Sequence, residues 1–307
     1  MYALTSKFAA LFLDIFKKSR WNIPSFVVIG ILVTTTSAMS TAQIPPELTP
    51  HLRHIASLAQ TSPVVRIPAG WFLMGTDRRD ADAFNVDTQY DDTEFPQRRI
   101  WLDEFEIDQY EVTLGEFLAF LYRENRTISR ELQELIWHLI DVHFIPDQVL
   151  APWPALYVTW EEADAFCQSQ GKHLPTEAQW EKTARGLTGQ VFPWGREPPS
   201  DSVVVFGAYH VHQIPLVATI DSYPEGRSPF QAYHMAGNVA EWVQDWFGSD
   251  YYPTMPERNP TGPKNGRYKS VRGGSWKSKP IMLRTATRGG AFPNQREATI
   301  GFRCARS

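Results

Sequence analysis

The chain has 307 residues, 30 basic against 34 acidic, and a formal charge of −4. A hydrophobic fraction of 43% supplies material for a globular core and has none of the character of a disordered chain. The acidic balance offers no basic stripe to neutralise phosphates, which argues against a nucleic acid as partner. Aromatic residues make up 13%, including 11 Trp, and many sit beside Gly or Pro. That composition predicts a loop-rich fold held by large rings, with strands and helices a minority.

The first 42 residues differ from the rest. Lys17, Lys18 and Arg20 precede an apolar run from Phe26 to Val33, which fades into small and hydroxylated residues ending at Ala42. A positive flank, a short apolar core and small residues in that order are the layout of an export signal. The core is about 8 residues, or about 15 with its tail, against the roughly 20 that span a bilayer. Ser40 and Ala42 suit cleavage before Gln43. The alternative is an uncleaved anchor in which Ala3 to Phe16 lies as an amphipathic helix on the membrane face. Either way the positive flank stays cytoplasmic, and the domain is expected outside, in the periplasm or attached to the outer face of the cytoplasmic membrane.

Residues 43–63 are weakly patterned and read as a linker with a lead-in helix, so that the folded domain spans 64–307. Val65 to Thr76 alternates like a strand ending on Gly75. The polar stretch that follows, with Asp77, Asp80, Asp82, Asp87, Asp91 and Asp92, reads as a solvated surface loop. Arg99 to Asp108 returns to period two as a second strand. Three helix starts carry one signature, a Thr N-cap with Glu or Gln three residues on: Thr113 with Glu116, Thr159 with Glu162, and Thr176 with Gln179. They predict helices over Leu114 to Arg123, Trp160 to Ser169 and Glu177 to Arg185, the last stopped by Gly186. An extra helical insertion is expected around Leu132 to Val142. Glu161, Glu162 and Asp164 cluster at a helix N-terminus, where exposed N–H groups favour negative charge without any acid–base role.

Only Cys167 and Cys304 are cysteines. In an oxidising compartment such a pair bridges, and the loop-entropy relation gives on the order of 4–5 kcal/mol for closing about 137 residues; a thiolate metal site is the alternative. His210-Val-His212 places both imidazoles on one face if the segment is extended, and with Asp221 or Glu225 it reads as a non-haem iron or copper site, or as surface residues beside Tyr209. His138 and His143 are five apart, wrong for one helical face, and receive no role.

Five segments in order carry a family likeness: Pro68-Ala-Gly-Trp-Phe-Leu-Met-Gly75; Phe105 to Thr113; Val158 to Cys167 running into Gly171 to Glu181; Met235-Ala-Gly-Asn-Val-Ala-Glu-Trp242; and Val271-Arg-Gly-Gly-Ser-Trp276 with Ile300-Gly-Phe-Arg-Cys-Ala305. Together they resemble the formylglycine-generating enzymes, or sulfatase-modifying factors. The resemblance implies an α+β, C-type-lectin-like fold of low regular content and a structural disulfide between Cys167 and Cys304. It implies a calcium site on Gly237, Val239 and Glu241, with His234 where an oxygen ligand commonly sits; a second calcium site would draw on about 200–222, where Asp201 and Asp221 stand.

It also implies a pocket lined by Ser275, Trp276, Ser278 and Arg288. In copper-dependent members two cysteines after the Gly-Gly-Ser bind Cu(I) and activate O₂. Here the first position holds Ser278 and the second falls within Pro280 to Leu283, none of them a cysteine. Two readings follow. One is an exported family member with an oxidative tailoring or maturation role, as in ergothioneine-type sulfoxide synthases and pyoverdine-maturation proteins, its redox metal unknown. The other is a non-catalytic binding or accessory module for a small-molecule or peptide ligand.

Overall fold

A computed structural model describes residues 46–77, 92–207 and 216–307. Residues 43–63 hold the lead-in helix read from the sequence. Leu48–Ser57 forms helix α1, and Leu48, Leu52 and Ile55, on one helical face, are fully buried in the main hydrophobic cluster beside Leu114 and Leu118. The folded unit begins by α1, and no helix among the described residues is long and apolar enough to cross a membrane.

Each long strand read from the sequence is two. β1 (Val64–Ile67) stops before Pro68, which has no N–H to give a ladder, and β2 (Gly70–Met74) resumes after it. β3 (Arg98–Leu102) and β4 (Phe105–Asp108) are likewise separated by Asp103 and Glu104. β1 pairs with β4, and β2 with β3, both antiparallel. Helices α2 (Leu114–Arg123), α3 (Arg130–Asp141), α4 (Asp147–Leu150), α5 (Trp160–Ser169) and α6 (Glu177–Arg185) follow. The three capping boxes form as read: the Thr113, Thr159 and Thr176 hydroxyls accept the backbone N–H of Glu116, Glu162 and Gln179, whose side chains accept in return.

Strands β5 (Ala240–Trp246), β6 (Lys269–Arg272), β7 (Arg288–Ala291), β8 (Ile300–Phe302) and β9 (Ala305–Arg306) complete the domain. The sheets run β1-β4-β9, β2-β3 and β7-β6-β5-β8, with β5 and β8 parallel. Phe117, Phe120, Phe166 and Phe302 anchor the core with ring centres 5.3–6.5 Å apart, three of the pairs edge to face. Cys167 and Cys304 are disulfide-bonded beside them, tying α5 to the C-terminal strands.

Helix α6 is buried along its whole length although six of its nine residues are polar or charged. Buried charge persists only when paired, and here it is. Glu177 binds Arg288 and Arg272; Glu181 accepts from Arg185, Arg272, Tyr252 and the Gly75 N–H. The Lys182 ammonium donates to the Pro68 and Gly70 carbonyls, and desolvation brings its titration down to about 8. This helix fixes Trp180 beneath the Gly-Gly-Ser turn.

Candidate functional site

The turn is set by two glycines. Gly273 and Gly274 have φ of +89° and +66°, and a Cβ on Gly273 would approach the Trp180 ring to 3.0 Å. The left-handed backbone and this close approach both favour glycine. The turn is joined to the Gly-Asn segment by main-chain bonds: the Gly237 N–H donates to Gly273 O at 3.0 Å, and the Trp276 N–H to Asn238 O at 2.7 Å.

Within the turn the hydroxyls are used internally. Ser278 Oγ accepts the Ser275 N–H at 2.9 Å, and Ser275 Oγ accepts the Lys277 N–H at 3.3 Å. Ser275 and Trp276 are 5% and 4% exposed, and the Trp276 indole donates to Ala298 O. Leu283, at the end of the 280–283 stretch, is fully buried. Ser275, Trp276 and Ser278 thus come together, Ser275 and Trp276 almost closed to a ligand and Ser278 partly exposed.

Arg288 does not join them. Its Nε and Nη2 grip the two oxygens of Glu177 at 2.7 and 2.9 Å, while Nη1 donates to the Thr93 and Gly248 carbonyls. The guanidinium expected over the pocket is a buried anchor of α6.

The calcium candidates do not fit a hard dication. Gly237, Val239 and Glu241 lie on one strand entry, but the Glu241 carboxylate is already held by Arg303, Nε at 2.8 Å and Nη2 at 2.7 Å, and by the Trp180 indole at 2.9 Å. Calcium takes 6–8 oxygens, and the one carboxylate of this set is already paired with a guanidinium. His234 puts an imidazole where calcium would take an oxygen; burial lowers its titration to about 4, and its Nε2 donates to Thr219 O at 3.2 Å. Asp201 and Asp221 are exposed, and Asp221 accepts from the Thr219 hydroxyl. His210 and His212 lie outside the described residues, as do the signal or anchor segment, Asp80, Asp82, Asp87 and Asp91.

Glu111 lies in the Phe105 to Thr113 segment, but no local pattern marks it as a site residue. Glu111 is fully buried, accepts from Asn238 Nδ2 at 2.6 Å and from the Val239 N–H at 3.4 Å, and is held well above the usual carboxylate range by burial and by Glu241. Arg303, equally unmarked within its motif, bonds the Asp108, Gln109 and Tyr233 carbonyls besides Glu241. These residues lock the Gly-Asn segment between β4 and β8. A separate open cleft of about 300 Å³ is lined by Gln190, Trp194, Glu225, Arg227, Ser228 and Gln231 among others, none of them in the Ser275 turn.

This α+β arrangement is the sulfatase-modifying-factor fold. The sulfatase-modifying factor enzyme 1-like domain matches residues 53–307, and the chain belongs to that family. It is 30% identical to the formylglycine-generating enzyme of Mus musculus over 291 residues, covering 79% of this chain and 74% of the mouse protein. Identity to the Streptomyces coelicolor enzyme is also 30%, over 78% of this chain and 88% of that one. The serine/threonine-protein kinase pkn1 of Chlamydia pneumoniae is 34% identical over 70% of this chain, which spans only 35% of the kinase. Among solved structures, PvdO from Pseudomonas aeruginosa superimposes with a TM-score of 0.62 at 24% identity, over 80% of this chain and 94% of its own.

Proposed function

We propose that this chain is an exported formylglycine-generating-enzyme-like domain that works as a binding or accessory module and does not oxidise sulfatase cysteine by the Cu(I) dicysteine route. The observation that carries this reading is the Gly-Gly-Ser turn. Where copper-dependent relatives place one thiolate, Ser278 spends its hydroxyl on the Ser275 N–H, and the 280–283 stretch presents no sulfur but that of Met282. A hydroxyl does not replace a thiolate for Cu(I). The two cysteines of the chain are bonded to each other, so neither is free for chemistry.

Export rests on the signal-like layout of residues 1–42 and agrees with a disulfide, which persists in oxidising compartments. The ligand of such a module is a small molecule or peptide, and the cleft beside Trp194 and Arg227 is the concavity offered to it. The spacing of His210 and His212 favours a second reading, oxidative tailoring with a metal held there.

Metal analysis of the purified exported domain separates the two. The binding reading predicts no stoichiometric redox-active copper or iron. Stoichiometric copper or iron that disappears in the His210→Ala/His212→Ala variant would replace it with the tailoring reading.

A further inference from the structure

His138 and His143 are too far apart in sequence to share a helical face, yet they meet. Helix α3 ends at Asp141, so His143 already lies beyond it. The chain then turns back: the Phe144 N–H bonds Ile140 O at 3.1 Å, the Ile145 N–H bonds Leu139 O at 3.0 Å, and Phe144 takes a left-handed φ of 54°. This reversal brings His143 against the last turn of the helix. The two Nε2 atoms stand 3.2 Å apart, with ring centres 4.9 Å apart and planes at 72°.

The spacing of the two Nε2 atoms suits a hydrogen bond between the imidazoles and also an ion shared by them. A straight N–H···N bond of this length would hold the ring centres about 5.5 Å apart, because each centre lies about 1.2 Å behind its nitrogen. A metal about 2.0–2.1 Å from each Nε2 would subtend about 100° and bring the centres to about 5 Å. The observed 4.9 Å accommodates the shared ion, as it does a bent hydrogen bond in the free protein.

We infer that His138 and His143 form a two-imidazole site for a borderline-soft divalent cation of the Zn²⁺ class, its remaining positions open to water or an exchangeable ligand. The described residues bring no third His, Cys, Asp or Glu side chain to the pair, so a bound ion would take its other ligands from solvent. Glu134, one turn before His138, is engaged by Arg130 at 2.6 Å. Both imidazoles are only half-buried, so an ion reaches them from solvent. The site is independent of His210 and His212 and of the binding or tailoring reading.

Two measurements on the purified protein test it with Zn²⁺ alone. In calorimetric titration, His138→Gln and His143→Gln should each weaken Zn²⁺ binding by more than about tenfold, whereas His210→Gln/His212→Gln should leave that binding event in place. Because a variant can disturb the turn, diethyl pyrocarbonate labelling of the unaltered protein supplies a second reading. Zn²⁺ should protect His138 and His143 together. Equal labelling of His138 and His143 with and without saturating Zn²⁺, or undiminished affinity in the folded double variant, overturns the inference.

Discussion

Arg303 meets Glu241 as a fork against a carboxylate, Nε to Oε2 at 2.8 Å and Nη2 to Oε1 at 2.7 Å, with both side chains fully buried. The pair joins the last motif of the chain to the Gly-Asn-x-x-Glu-Trp motif, and Glu111 lies close enough for the Glu241 charge to raise its titration. Removing Arg303 would leave two buried carboxylates without their cation. Arg303→Met should therefore lower stability by about 3–5 kcal/mol, the range found when one partner of a buried pair is removed. Urea denaturation measures this, and a loss below about 1 kcal/mol would show that the pair is not the clamp described.

His234 gives a pH signature. Burial lowers its titration from 6.5 to about 4, so within that window the unfolded chain takes a proton that the native state refuses. Its contribution to stability is intact above 6.5 and is lost as pH falls towards about 4. Asp245 runs the other way. Burial and Glu177 raise it from 3.8 to about 7, so its contribution is present below 3.8 and lost as pH rises through 7. His234→Asn removes only the first effect, and Asn tolerates the left-handed φ of 53° found there. Between about pH 4 and 6.5 the wild-type advantage over this variant should grow with pH, by on the order of 3 kcal/mol. Denaturation at several pH values across the window checks it; a constant difference contradicts it.

The disulfide closes a separation of 137 residues between α5 and the C-terminal strands. Reduction, or the Cys167→Ala/Cys304→Ala variant, should cost about 2–5 kcal/mol. The midpoint of guanidinium unfolding with and without reductant reads this directly. An unchanged midpoint would mean that the unfolded chain gains nothing from release of that link.

Gly274 tests the turn. A methyl there would stand 2.9 Å from Met282 O and 3.0 Å from Leu283 Cδ2, on a backbone with φ of +66°. Gly274→Ala is predicted to destabilise by about 1–3 kcal/mol, by strain and crowding together. Thermal unfolding measures the change. Neutral behaviour would show that the turn opens more readily than its internal hydrogen bonds imply.

Local chemistry made much of this fold legible in the sequence. The Thr-x-x-Glu and Thr-x-x-Gln boxes place the starts of α2, α5 and α6, because each is satisfied within four residues. Pro68 marks the break between β1 and β2, but the alternation on either side of it reads as one strand. The burial of α1 was missed because Leu48, Leu52 and Ile55 acquire meaning only against α2. At the site, the Gly-Gly-Ser turn was found from its motif. The ties of Glu241 to Arg303 and of Arg288 to Glu177 join residues 62 and 111 positions apart, and no local pattern announces them. The meeting of His138 and His143 depends on where α3 stops, which periodicity alone does not fix.

The most direct measurement of the central claim is the treatment of a Cys-x-Pro-x-Arg peptide with the purified, copper-supplied domain under O₂, followed by mass spectrometry for the aldehyde. With Ser278 closing its own turn and both cysteines bonded to each other, the peptide cysteine should remain unchanged. Catalytic formation of formylglycine, repeated over many turnovers, would contradict the account.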